Sequence, residues 1–131
     1  MARPTQVDEL LAGYPQPVQE TAAAARALLT SLLPGIQETA DGSAKLIGYG
    51  YRPGYKGVLF TLILSQKGVK LGIFRGAELP DPKNLMTGEG RVHRHVPLRS
   101  AADLERRGLK PLLKTALKAW RARTADAQSK P

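Results

Sequence analysis

The chain has 131 residues, enough for one domain with a substantial core and no need of covalent staples. It contains no cysteine, which removes disulfides, zinc–thiolate sites, iron–sulfur clusters and thiol catalysis, and no apolar run approaches the ~18 residues of a membrane span. The net charge of +9 is lopsided: residues 1–50 carry three basic side chains against five acids, whereas residues 51–131 carry 17 against six, so the second half favours anionic partners or simply solubility.

The first residues hold no apolar stretch of the kind that directs export, and with the absence of cysteine this predicts a cytoplasmic protein. A short helix is expected from Thr5, with Asp8 and Glu9 near the positive end of its dipole, Val7, Leu10 and Leu11 on its apolar side and Gly13 at its end. A second helix is predicted from about Pro15–Pro17 to Leu33. Val18, Ala22, Ala25, Leu28, Leu29 and Leu32 recur at helical spacing, the prolines sit where a missing N–H costs nothing, and Pro34-Gly35 stops it.

Residues 36–41 and 45–51 read as strands joined by the turn residues Asp41-Gly42-Ser43. Three of the four tyrosines follow in YGYRPGYKG, residues 49–57, with Pro53-Gly54 suited to a type II turn. Two readings are open. Tyr49, Tyr51 and Tyr55, with Arg52 and Lys56, can form a pocket mouth in which rings stack on a planar ligand and cations hold its anionic group. Alternatively they decorate the end of a strand, where tyrosine is common.

Residues 57–74, GVLFTLILSQKGVKLGIF, are the organising stretch and read as a β-hairpin. Val58, Phe60, Leu62 and Leu64 alternate with Leu59, Thr61, Ile63 and Ser65, and after the turn Val69, Leu71 and Ile73 alternate with Lys70, Gly72 and Phe74. The first arm is apolar on both sides, which predicts an interior strand, and Gly68 is expected to take a positive φ in the turn.

A proline-rich loop follows, and then Thr87-Gly88-Glu89-Gly90-Arg91, a GxG pair beside a cation, which reads either as an anion cradle or as a plain turn. Residues 92–98 alternate again, with Arg91, His93 and His95 on one side and Val92, Arg94, Val96 and Leu98 on the other. The histidines, the only two in the chain, are spaced to share a metal, but no carboxylate or thiol lies nearby in sequence to complete the shell, and no Ser, Cys or Asp is placed to make them an acid–base pair. Ser100 to Asp103 predicts a capped helix ending at Gly108. The last helix is the clearest amphipath: Leu109, Leu112, Leu113, Ala116, Leu117 and Trp120 form one side, and Lys110, Lys114, Lys118 and Arg121 the other. That basic stripe is either a solvated face or a surface for nucleic-acid phosphates.

Several local signatures resemble the YdhG-like family of small bacterial proteins, a domain of unknown function. They are the early helices ending at Leu33-Pro34-Gly35, the Ile47-Gly48-Tyr49-Gly50-Tyr51 region, the hairpin 57–74, residues 88–96 and the closing helix, together spanning about residues 7–120. The resemblance implies an α+β fold with N- and C-terminal helices on one face of a mostly antiparallel sheet. It also implies a comparison with frataxin-like iron chaperones, but the acids here (Asp8, Glu9, Glu20, Glu38 and Asp41) are scattered and the basic half would repel a cation. The family supplies no catalytic residues to carry over.

The sequence therefore predicts a single α+β domain over residues 1–131, ordered α-α-β-β-β-β-β-α-α, with residues 1–4 and 124–131 disordered. The predicted role is binding rather than catalysis, without a cofactor, with an anionic small molecule or an acidic surface as partner and no membrane. The expected site lies between Tyr49, Tyr51, Arg52, Tyr55 and Lys56 on one side and Arg91, His93, Arg94 and His95 on the other. A metal chaperone using His93 and His95, and nucleic-acid binding through Lys110, Lys114, Lys118 and Arg121, are the alternatives.

Overall fold

The computed structural model describes residues 6–51, 57–88 and 92–129. Helices α1 (Gln6–Leu11) and α2 (Gln16–Leu32) precede strands β1 (Gln37–Asp41), β2 (Leu46–Gly50), β3 (Val58–Ser65), β4 (Gly68–Ile73) and β5 (Arg94–Leu98). A 3-10 helix (Ala101–Glu105) and helix α3 (Leu109–Ser129) close the chain. Each strand pairs antiparallel with the next in the order β1-β2-β3-β4-β5, so the hairpin forms the centre of a five-stranded meander. The predicted α+β architecture and element order hold, with two differences: the element before α3 is 3-10, and α3 runs through Thr124 to Ser129.

Alternation along the strands divides the sheet into two unlike faces. Tyr49, Phe60 and Ile73 are register neighbours, as are Ile47, Leu62, Leu71 and Val96, and all seven are buried. The helices cover this side. Val18, Ala22, Ala25 and Leu29 of α2, and Leu109, Leu113, Ala116 and Trp120 of α3, complete the core; the alanines allow α2 close approach. No described helix is long and apolar enough to cross a membrane.

The register also places Thr39, Gly48, Thr61, Gly72 and His95 in one row across all five strands, on the side opposite the buried rows. Beside it runs Asp41, Leu46, Ile63, Lys70 and Pro97, of which Ile63 remains 37% exposed. A β-bulge interrupts the β2–β3 ladder at Tyr49/Gly50: Gly50 pairs with Val58 and Leu59 is the extra residue. The bulge corrects the simple alternation. Leu59 is fully buried, while Val58 turns toward Gly48 on the uncovered side. Only glycine fits at 50, because a Cβ there would lie 2.0 Å from the carbonyl oxygen of Gly57.

Turns are tied by short side chains. Asp41 accepts from the Ala44 N–H at 3.0 Å and from the Ser43 hydroxyl at 2.8 Å, and the Ser65 hydroxyl accepts from the N–H groups of Lys67 and Gly68, each at 3.2 Å. Gly68 is not among the residues with positive φ, so the serine rather than a left-handed glycine sets that turn. Ser100 makes no side-chain cap. Asp103 instead accepts from the Arg99 N–H at 2.7 Å. Outside the sheet, Thr87 and His95 exchange N–H···O bonds of 2.7 and 3.1 Å, adding one bridge to the outer edge of β5.

A Cβ built on Gly72 would stand 2.2 Å from Oγ1 of Thr61. Gly72→Ala is therefore expected to cost on the order of 1–3 kcal/mol as β3 and β4 shift apart or Thr61 rotates. In a Thr61→Ala background most of that cost should disappear, and urea denaturation of the four proteins measures the coupling. Equal costs in both backgrounds would show that the two side-chain positions do not compete.

Candidate functional site

The uncovered face is hollow because two of the five positions in its central row lack a side chain. One hollow of about 450 Å³ lies over β1 and β2, floored by Gly48 and Gly50 and walled by Thr39, Leu46 and Val58. A second, of about 360 Å³, lies over β3 and β4, lined by Thr61, Ile63, Gly72, Phe74 and His93. Val58 borders both, so the two hollows adjoin as a trough on this face. Its lining is mainly aliphatic, and the side chains of Thr39, Thr61 and His95 make no hydrogen bond among the described residues, apart from backbone bonds of their own chain positions.

The two ends differ in charge. Asp41 closes the β1 end. At the β5 end Lys70 lies close enough to His95 to act on it electrostatically: burial first, and then the Lys70 ammonium, hold the His95 imidazole below its ordinary value. His93 packs on Phe74 with ring centroids 4.7 Å apart, and its Nδ1 accepts the Arg75 N–H at 3.1 Å. That bond fixes the tautomer with the proton on Nε2.

The predicted site residues do not meet in one place. In the sheet β2 and β5 are separated by β3 and β4, three strand spacings or about 14 Å. Tyr49 is fully buried on the helix side and donates its hydroxyl to Oε2 of Glu38 at 2.6 Å, so it is a core residue and not a pocket mouth. Tyr51 packs against Trp120 of α3, centroids 5.5 Å apart, again on the helix side. Arg94 shares a row with Tyr49, and its guanidinium donates to the Gly88 carbonyl oxygen. Of the predicted residues, His93 and Arg94 line the second hollow, while His95 ends the Gly48–Gly72 row with its ring beside Gly88. Arg52, Tyr55, Lys56 and Arg91 lie outside the described residues. Lys110, Lys114, Lys118 and Arg121 are all exposed, as the helical spacing predicts.

Among the described residues, no three His, Cys, Asp or Glu side chains lie together as a metal site. The strongest polar cluster is on the covered side at β1. Arg26 donates from Nε to Glu38 at 2.8 Å and from Nη2 at 3.1 Å, and its Nη1 reaches Asp8 at 3.2 Å. Burial pushes the Glu38 carboxyl up, but hydrogen bonds from Arg26 and Tyr49 outweigh it and leave the carboxyl below its usual value. Burial, and then the hydrogen bond to Glu38, raise the Tyr49 phenol. The cluster lines neither hollow of the trough, and it joins α1, α2, β1 and β2, so its work is structural.

The trough was not visible in the sequence as a site. Its signal was the glycine within each of two apolar strands, Gly48 and Gly72, whose alignment depends on register. Against known proteins, the chain matches no family model, no curated protein and no solved structure.

The Glu38 cluster generates a pH prediction. Its folded pKa lies below the unfolded 4.5, so its stabilisation is complete above that value and is lost as the pH falls through the lower folded value. Glu38→Gln should cost about 1–2 kcal/mol near neutrality, discounted for a side chain still 23% exposed. The gap to the parent protein should narrow by roughly pH 3, measured by urea denaturation at both pH values. A gap independent of pH would mean that the charge on Glu38 contributes nothing.

Proposed function

We propose that the protein is a non-enzymatic binding module of the cytosol whose uncovered sheet face takes an elongated small molecule with an apolar body and one acidic group. The observation that carries this reading is the pair of adjoining hollows over Gly48 and Gly72, of about 450 and 360 Å³. These volumes suit a drug-sized ligand. The apolar body lies on Leu46, Val58 and Ile63, displacing water from aliphatic surface, and each CH2 so buried contributes about 0.8 kcal/mol. The hydroxyls of Thr39 and Thr61 orient it. The acidic group points toward β5, where the Lys70 ammonium acts on His95, and away from Asp41.

A thermal-shift screen of amphipathic carboxylates, sugar phosphates and nucleotides tests this, with amphipathic carboxylates expected to raise Tm most. Gly48→Leu is the discriminating variant. A Cβ at Gly48 meets nothing closer than 3.6 Å, so the fold tolerates it, while the longer side chain fills the trough and should abolish the shift. An undiminished shift in Gly48→Leu would remove the ligand from this face.

The His95 imidazole, held below its ordinary 6.5, is neutral at pH 7 and gains a proton only as the pH falls below that ordinary value. Affinity for a bound carboxylate should therefore rise as the pH is lowered below 6.5, and His95→Gln should flatten the rise, as a series of calorimetric titrations at falling pH would show.

A further inference from the structure

We infer that the outer side of α3 is a docking surface for duplex DNA, held through its phosphates and independent of the trough on the opposite face of the sheet. The observation is a set of exposed cations with no ion-pair partner among the described residues. Lys110, Lys114, Lys118 and Arg121 are all exposed and none joins an ion pair, the described pairs being Arg26–Asp8, Arg26–Glu38 and Arg75–Glu78. At 100° per residue the four positions fall within an arc of about 80°, and at 1.5 Å per residue they span about 16 Å. Over that length each strand of B-DNA presents about five phosphates.

The stripe continues past the start of the helix. Gly108, at φ +92°, turns the chain into α3, and a Cβ there would lie 2.7 Å from Cγ of Lys83, so the stem of that exposed lysine crosses the corner. Arg106 and Arg107 line the small hollow beside Lys110. Glu105 is the one carboxylate lining the same hollow, while those of Asp81 and Asp103 are held by backbone N–H groups.

Other polyanions fit less well. An amphipathic helix that binds anionic membranes inserts its apolar side, but Leu113, Ala116, Leu117 and Trp120 of α3 are buried in the core. Single-stranded nucleic acid is held by aromatic platforms, and the stripe has none. A convex helix with basic side chains matches the roughly 12 Å major groove of B-DNA and its flanking phosphates better than the deep, narrow groove of duplex RNA.

The test is fluorescence anisotropy with a 20-base-pair DNA duplex at about 50 and 200 mM salt. Four phosphate contacts give a slope of log K against log salt of about −3.6, an affinity loss of about 150-fold between those concentrations. The variant Lys110→Gln, Lys114→Gln, Lys118→Gln should make the slope shallower by about 2.7 with an unchanged Tm, because all three side chains are exposed. Gly48→Leu should bind the duplex like the parent, which separates this surface from the trough. Binding unaltered by the triple substitution, a slope near zero, or tighter binding to duplex RNA or to phosphatidylserine vesicles would overturn the inference.

Discussion

Among the described residues helices cover only one face of the sheet, and that is the constraint on which the rest of the structure depends. With α1, α2 and α3 on one side, every second residue of five strands must serve the core and every other one must tolerate water. The buried rows meet that demand with Tyr49, Phe60, Leu62, Leu71 and Ile73. The bare rows meet it with Gly48, Thr61 and Gly72 down the middle and, beside them, Leu46 and Ile63 flanked by the charged Asp41 and Lys70. An apolar trough follows directly from that arrangement, and so does its shape, since Thr61 overhangs the space that a side chain at Gly72 would need.

Charge is divided as unevenly in space as in sequence. Arg26 engages two acids of the first half, Asp8 and Glu38, and with Tyr49 it binds α1, α2 and the first two strands together. The cations of α3 lack such partners among the described residues. Two of the five acids of the first half are thus engaged by Arg26, while the basic half faces solvent along a helix whose other side is committed to the core. One electrostatic design both stabilises the fold and leaves a cationic outer surface.

Much of this was legible in the sequence, and the parts that were not share a physical cause. Spacing within one segment identified the hairpin and the apolar sides of α2 and α3. Properties set between segments were hidden. Tyr49 reads as a ring for stacking until its partner row and Glu38 are known. The bulge that turns Val58 over arises from the close approach of Gly50 to Gly57, which neither strand reveals alone. The trough likewise requires Gly48 and Gly72 to fall in one row, a matter of register. Local capping chemistry was ambiguous for a different reason: Ser65, Gly68, Ser100 and Asp103 all offer plausible turn chemistry, and the competition is decided by geometry of a few tenths of an ångström.

The bridge between Thr87 and His95 bears on how the sheet ends. Because His95 directs its N–H and carbonyl outward to Thr87, Pro97 two residues on also presents its outward position, where proline has no N–H to offer. An incoming chain at β5 therefore meets one occupied pair and one missing donor. Fibril growth by strand addition is blocked on that margin, and aggregation of the folded domain is left with β1 as its point of entry.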